Sequence, residues 1–375
     1  MSADDRAGPR PFGVPTLEDL GDLSGRSVLV RGDLDIAELE PGSLARERRL
    51  GVLLPTLRWL LDRGARVSVC GHVGSLVGEA DEASFLGIRR EVEDACPGVS
   101  VLPNLAGEQE RLGDRQLAVE LARGQDFYVN EAFQWCWMSL ASIVGPPAML
   151  PSAAGLRLAA DLVLLEPLIL HPPRPFVAVF GSDQSLSRLP GLRGLILRAD
   201  ATLVGGAMAL PFLQAIGVQS APKPETELLR ECRACFGLAR EIQHNVRLPS
   251  DLVWEQPDGT VVLAPSASSL DGSVSDIGST TRLRYAEVLR GAGSVLWTGA
   301  LGRAEDARFA QGTRAVAAAL PPQGHVVLGG DAALAALEDL TSAATGVLSA
   351  TDSAVTLLKD GDLPGLAALR GSRRG

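Results

Sequence analysis

Short apolar runs alternate with longer amphipathic stretches along this chain. Ser27-Val-Leu-Val-Arg31, bounded by Gly25 and Gly32, reads as a buried strand. Leu50, Leu53, Leu54, Leu57, Leu60 and Leu61 recur at helical spacing and predict an amphipathic helix ending near Arg63-Gly64. Arg66–Cys70 is the next strand and runs into the turn Gly71-His72-Val73-Gly74. Helix is expected over 84–95, a strand over Val99–Leu102, a charged helix over 107–123 and a strand over Phe127–Val129. Strands that alternate with helices predict a parallel sheet covered on both faces, hence an α/β fold.

Prolines interrupt this rhythm at 146, 147, 151, 167, 172, 173 and 175, around one helical piece at 156–166. That break is the expected boundary between two domains. A second α/β set follows. Phe176–Phe180 is a strand ending in Gly181, and Thr202–Val204 is a strand ending in Gly205-Gly206 before a helix through Ile216. Residues 225–243 read as helix, and Val295–Trp297 and Val326–Leu328 as strands that also run into glycine. Glycine after a parallel strand lets backbone N–H groups approach a nucleotide or phosphate, but a tight strand-to-helix turn needs it as well. No internal repeat or low-complexity tract is evident.

Composition narrows the partners. A chain of 375 residues exceeds one ordinary core, in keeping with two domains. The net charge of −10 offers no positive field for nucleic acid or an anionic membrane. No apolar run approaches the ~20 residues of a membrane span. Met1–Arg10 carries no apolar segment of the secretory kind, so the cytoplasm is the expected compartment. Only Lys223 and Lys359 are lysine, which leaves two candidates for any lysine-dependent step. The five cysteines read as free thiols, and Cys232-Arg-Ala-Cys235, with His244 as a third candidate ligand, reads as ordinary helix thiols in preference to a zinc or redox site.

One stretch stands apart. Within Tyr128–Gly155, residues 134–140 place Trp135, Cys136, Trp137, Met138 and Leu140 close together. Its flanks, Tyr128-Val-Asn-Glu-Ala-Phe133, Ala141-Ser142 and Leu150-Pro-Ser-Ala-Ala-Gly155, belong to a longer collinear series. The series includes Val28-Leu-Val-Arg-Gly-Asp33, Gly71-His-Val-Gly74, Arg174-Pro-Phe-Val-Ala178, Val204-Gly-Gly-Ala-Met208, Asp276-Ile-Gly278, Val295-Leu-Trp-Thr-Gly299, Phe309-Ala-Gln-Gly-Thr313, Gly329-Gly-Asp331 and Leu363-Pro-Gly365. Over nearly the whole chain this order resembles the phosphoglycerate kinase family. The resemblance implies two Rossmann-like lobes with parallel sheets joined by a hinge helix. The acid-substrate lobe would be 1–150, the hinge helix and linker 151–172, the nucleotide-binding lobe 173–354, and a tail at 355–375 would pack back on the first lobe.

The resemblance also implies site residues. Asp33, Arg49 and His72 would bind the acid, with Asp33 on its hydroxyl. Arg49, His72 and Arg188 would be catalytic, Arg188 standing where the family has a second lysine. Gly181, Gly205, Gly206, Glu305 (on the ribose) and Asp331 (near Mg²⁺) would hold MgATP or MgADP. Each has a plain structural alternative: a turn carboxylate for Asp33, a satisfied turn histidine for His72, a solvated helix residue for Arg49. Elsewhere the family pattern is broken. Asp35, Ser75, Ala106, Trp137-Met138-Ser139-Leu140, Asp183-Gln184, Thr298, Ala300 and Thr351-Asp352-Ser353 replace an asparagine, arginines, histidines, the catalytic lysine, a Trp-Asn-Gly-Pro pattern and a triple glycine.

A charge-assisted bond contributes ~1.5–3 kcal/mol, so these losses remove several kcal/mol from binding a phosphorylated acid. The expectation is a monomeric family member without ordinary ATP:3-phosphoglycerate transfer, non-catalytic or nucleotide-sensing. Three alternatives stay open: a diverged phosphotransferase using ATP on a carboxylic acid, with Arg46, Arg48, Arg157, Arg193 or Arg303 repopulating the site; a weak but authentic phosphoglycerate kinase; and a scaffold that docks a protein partner on Trp135–Met138.

Overall fold

The computed structural model describes residues 10–36, 44–77, 81–182, 189–218, 225–268 and 272–372. The chain divides into two compact units, Met1–Val163 with Asp362–Gly375, and Leu164–Gly361.

The first unit is built in the order β1 (Ser27–Arg31), α1 (Leu44–Leu61), β2 (Arg66–Cys70), α2 (Glu82–Ala95), β3 (Val99–Val101), α3 (Glu108–Arg111), α4 (Arg115–Ala122), β4 (Phe127–Asn130), α5 (Ala141–Val144) and β5 (Ser152–Ala154). Its strands pair in parallel in the order β3-β2-β1-β4-β5. Val28, Val30, Val67, Val69 and Val129 of the sheet bury against Leu53, Leu57 and Leu60 of α1 and Phe85, Ile88 and Val92 of α2, two stripes at helical spacing. The charged stretch expected as one helix over 107–123 is two. Gly113 takes φ +68 between them, and a Cβ there would lie 2.8 Å from the Ser139 carbonyl oxygen. Asp114 then caps α4 by accepting from the Leu117 amide at 2.8 Å.

The next helix, α6 (Leu156–Leu170), runs past Pro167, and the division between the units falls inside it, after Val163. Glu131 and Thr56 cap its start. The Glu131 carboxylate accepts from the Arg157 amide at 2.7 Å, and the Thr56 hydroxyl oxygen accepts from the Leu156 amide at 2.9 Å. The expected helix at 156–166 is therefore one turn longer.

The second unit continues with β6 (Phe176–Ser182), α7 (Leu189–Arg198), β7 (Ala201–Gly206), α8 (Ala209–Ala215), α9 (Thr226–Glu241), β8 (Asn245–Arg247), β9 (Asp251–Glu255), β10 (Val261–Pro265), β11 (Ser273–Ile277), α10 (Ser279–Arg290), β12 (Ser294–Thr298), α11 (Gln311–Ala317), β13 (His325–Gly329), α12 (Asp331–Ala336), β14 (Gly346–Val347) and α13 (Thr351–Asp360). Its main sheet is parallel in the order β14-β13-β12-β6-β7-β8, with a smaller antiparallel sheet β10-β9-β11 that the sequence pattern did not signal. Val177, Val179, Leu203, Val295, Trp297, Val326 and Leu328 form the core with Tyr285 and Leu289 of α10 and Val316 of α11. α13 lies so close to α7 that a Cβ on Gly191 or Gly194 would meet Val355 Cγ2 at 2.5 Å or Lys359 Cβ at 2.7 Å.

Gly361, at φ +76, ends α13 in a left-handed cap. The chain then rejoins the first unit at Asp362, and α14 (Pro364–Arg370) follows. The Gly365 amide donates to the Cys136 carbonyl at 2.9 Å. Among the described residues no helix is long and apolar enough to cross a membrane.

Both sheets have a point where the strand order reverses, between β1 and β4 in the first unit and between β6 and β12 in the second. In open parallel sheets, ligands bind outside the carboxyl ends of the strands at such points.

Candidate functional site

In the first unit the carboxyl ends of β1, β2 and β4 bring Asp33, His72 and Trp135 together. The Trp135 indole N–H donates to Asp33 Oδ1 at 3.0 Å. The rings of Trp135 and His72 lie 4.4 Å apart between centroids, edge to face at 69°. His72 is 1% exposed, and its Nδ1 lies 2.9 Å from Arg31 Nη2. A guanidinium can only donate, so Nδ1 accepts and the neutral ring carries its proton on Nε2. That Nε2 is buried with no hydrogen-bond partner. Burial, and then the Arg31 charge, push the His72 pKa down to about 3, so the ring is uncharged near neutral pH.

Arg31 is fully buried at the end of β1. Its Nε donates to Ser142 Oγ at 2.7 Å, its Nη1 to the Gly32 carbonyl, and its Nη2 stands 4.0 Å from Glu110 Oε1. The buried Glu110 accepts from the Ser142 amide at 3.0 Å, and the Tyr128 hydroxyl donates to the Ser142 carbonyl at 2.8 Å. This network fixes the cation in place and supplies its counter-charge. Sequence reasoning assigned no site role to Arg31, Glu110 or Ser142. The available signal was an arginine closing an otherwise apolar strand.

Asp35 and Ser75, two departures from the family pattern, and Asn104 serve the turn after β2. Asp35 accepts from the Gly74 amide at 2.9 Å, Asn104 accepts from the Val73 amide at 2.9 Å, and Ser75 accepts from the Val77 amide at 3.0 Å. Arg49 lies on α1 with its side chain outside the described part, and Arg188, Asp183 and Gln184 lie outside the described residues. Of the arginines considered as replacements, Arg46 pairs with Glu91, Arg157 with Asp161, Arg193 with Glu231 and Arg303 with Glu255, each within its own unit. The Arg48 side chain is outside the described part. In the aromatic segment Trp135 and Met138 are partly buried against Leu76, Ala132, Leu140 and Ile143, whereas Trp137 is 42% exposed.

In the second unit Gly181 and Gly205 are paired at the ends of β6 and β7. Residues 299–301 of the chain itself lie on these ends. A Cβ on Gly181 would be 1.9 Å from the Ala300 carbonyl oxygen, and one on Gly205 would be 2.4 Å from Leu301 Cδ2. Gly206 takes φ +63, and its amide donates to the Leu301 carbonyl at 2.8 Å. Close packing thus demands these glycines whether or not a nucleotide binds. Glu305 is exposed, and so is Asp331, the first residue of α12. Thr351-Asp352-Ser353 opens α13, placing a carboxylate in its first turn and burying Ser353.

Among the described residues no three His, Cys, Asp or Glu side chains come together to hold a metal. Cys232 and Cys235 are buried free thiols. Burial pushes Cys232 up to about 12 and also raises Cys235. His244 Nε2 pairs with the Thr202 hydroxyl at 2.9 Å.

Comparison with known proteins matches residues 17–109 and 88–358 to the family described as Phosphoglycerate kinase. The chain is 33% identical over 388 residues to a phosphoglycerate kinase of Thermomicrobium roseum, covering 94% of this chain and 98% of that one. It is 34% identical over 388 residues to that of Moorella thermoacetica, again with 94% and 98% coverage. Among solved structures, phosphoglycerate kinase from Coxiella burnetii superposes with a TM-score of 0.78 at 25% identity, covering 95% of this chain and 98% of that one. The enzyme from Pyrococcus horikoshii OT3 superposes at 0.80 with 23% identity and the same coverage.

Proposed function

Because the chain belongs to the phosphoglycerate kinase family, we propose that it is a member that keeps the scaffold but does not carry ordinary ATP:3-phosphoglycerate phosphoryl transfer. Both partners in that reaction are anions, so its barrier is met by positioning and fixed positive charge. The observation that carries this reading is His72: buried, uncharged near neutral pH, and in contact with both Arg31 and the Trp135 indole. An incoming phosphorylated acid gains no cation from it, while Arg31 is held by Ser142, Gly32 and Glu110. The replacement of family cations at 137–140 and at Gln184 acts in the same direction.

The second unit is the nucleotide side in this reading, with Gly181, Gly205, Gly206, Glu305 and Asp331 around the nucleotide and α6 as the hinge. One exposed carboxylate does not make a resident metal site. Magnesium would arrive on the nucleotide phosphates and take Asp331 as a single protein ligand. The test is a coupled assay with MgATP and 3-phosphoglycerate, alongside calorimetry with MgATP and MgADP. Turnover far below the ~10² s⁻¹ of a good enzyme is expected, and turnover at that level overturns the reading.

A second reading is a phosphotransferase acting on a less charged carboxylic acid. The partly apolar wall that Trp135 gives to Asp33 and His72 favours it. ADP release in a screen of carboxylic acids distinguishes it from the first. Docking of a protein partner rests on the exposed Trp137 alone.

A further inference from the structure

The reversal point between β1 and β4 is where an open sheet takes its ligand. Here a side chain of the protein already occupies the polar groups. The Trp135 indole N–H satisfies Asp33 Oδ1 at 3.0 Å, and its ring stands against the His72 ring at 4.4 Å. His72, fixed by Arg31 through Nδ1, keeps an N–H donor on Nε2 that is buried and unpaired. An unsatisfied buried donor is costly to leave, so it marks a place where an acceptor is missing. Indole can donate to Asp33, but it has no oxygen to offer His72.

We propose that Trp135 is an internal occupant of this site, and that the ligand which displaces it is a small hydroxy-carbonyl compound or hydroxy acid carrying at most one negative charge. Its hydroxyl replaces the indole N–H on Asp33, and its carbonyl or carboxylate oxygen accepts from His72 Nε2. Neither group adds a positive charge, so from these two groups a further phosphate gains nothing. Access is set by the fraction of molecules in which the indole has left, and the apparent affinity falls by that same fraction. The inference rests on the first unit being the acid side of the protein.

The test uses the full-length chain labelled at its indole nitrogens, with the Trp135 N–H resonance assigned by Trp135→Phe. The probes are glycerate, propionate, which lacks the hydroxyl, and 3-phosphoglycerate. Glycerate is expected to shift the Trp135 resonance of the wild type, and propionate is expected to leave it in place. Trp135→Ala is expected to bind glycerate about tenfold more tightly or better, as follows if the open fraction is about a tenth or less. Trp135→Phe keeps the ring and loses the donor, so it gains less than alanine but more than the wild type. It decides the matter alone if the alanine variant does not fold.

Equal glycerate affinity in wild type and variants overturns the proposal, as does propionate binding as well as glycerate, or 3-phosphoglycerate gaining markedly more than glycerate. Wild-type turnover of ATP with 3-phosphoglycerate would instead overturn the reading of function. Equal affinities without turnover overturn only the role of Trp135.

Discussion

Replacing Glu131 with glutamine isolates one buried proton. Glu131 is 2% exposed, accepts from the Arg157 amide and the Thr56 hydroxyl through Oε1, and buries Oε2 without a partner. Burial outweighs these bonds, and the nearby Asp161 carboxylate adds to it, raising the pKa from 4.5 to about 8. An unfolded chain releases this proton near 4.5, whereas the folded chain keeps it until about 8. Between those values the folded state binds more protons. The contribution is therefore fully present below 4.5 and is lost as pH rises through 8.

At ~1.36 kcal/mol per pH unit, the gap between 4.5 and about 8 is worth roughly 5 kcal/mol. Glutamine keeps the shape and the acceptor but has no proton to lose. The stability of Glu131→Gln relative to wild type is thus expected to rise by several kcal/mol between about pH 5 and about pH 8. Because the chain has two units, a single unfolding free energy does not describe it. Hydrogen exchange of first-unit peptides, with exchange rates corrected for pH, gives the local value. A difference between variant and wild type that stays flat across that range refutes the reasoning.

Three further outcomes are expected. A Cβ on Gly155 would lie 1.5 Å from Glu131 Oε2 and 3.2 Å from Thr56 Oγ1, so Gly155→Ala should cost at least ~1–3 kcal/mol, read as a lower melting transition of the first unit. Ser142→Ala removes the acceptor of Arg31 Nε and a partner of Glu110, and a loss of about 2–4 kcal/mol in the local stability of the first unit, read by hydrogen exchange, is expected, because a buried charge is left under-satisfied. Gly181→Ala would force a Cβ to 1.9 Å from the Ala300 carbonyl oxygen, so the second unit should lose exchange protection without any nucleotide present. If that variant keeps its protection and loses only nucleotide affinity, the glycine faces a ligand instead.

The alternation of strand and helix was legible because apolar positions at 53, 57 and 60, or at 28–30, bury against a continuous core, and periodicity reports burial directly. The antiparallel sheet was not legible. Its outer strand packs Val262 and Ala264 inward on one face, but the outward Val261 and Leu263, 47% and 55% exposed, are apolar too, so the sequence shows no apolar–polar alternation there. The division of the 107–123 stretch lay at Gly113, with φ +68, where a Cβ would meet a carbonyl oxygen 26 residues further along.

At the candidate site, the sequence named Asp33, His72 and the odd aromatic segment, each by a local or collinear pattern. What it could not give was their mutual contact. The Trp135–Asp33 bond spans 102 positions, and the His72–Arg31 pair spans 41. The glycines at 181, 205 and 206 show the same limit from the other side: the pattern left open a phosphate approach or a tight turn, and only the fold shows its own 299–301 segment packed against them. By itself the sequence determined residue types, periodicity and lineage, because these need only neighbours along the chain. The tertiary structure alone decided that His72 is neutral, that Arg31 has an internal counter-charge and that an indole sits on Asp33. Desolvation and charge pairing depend on which distant side chains the fold brings within a few ångströms.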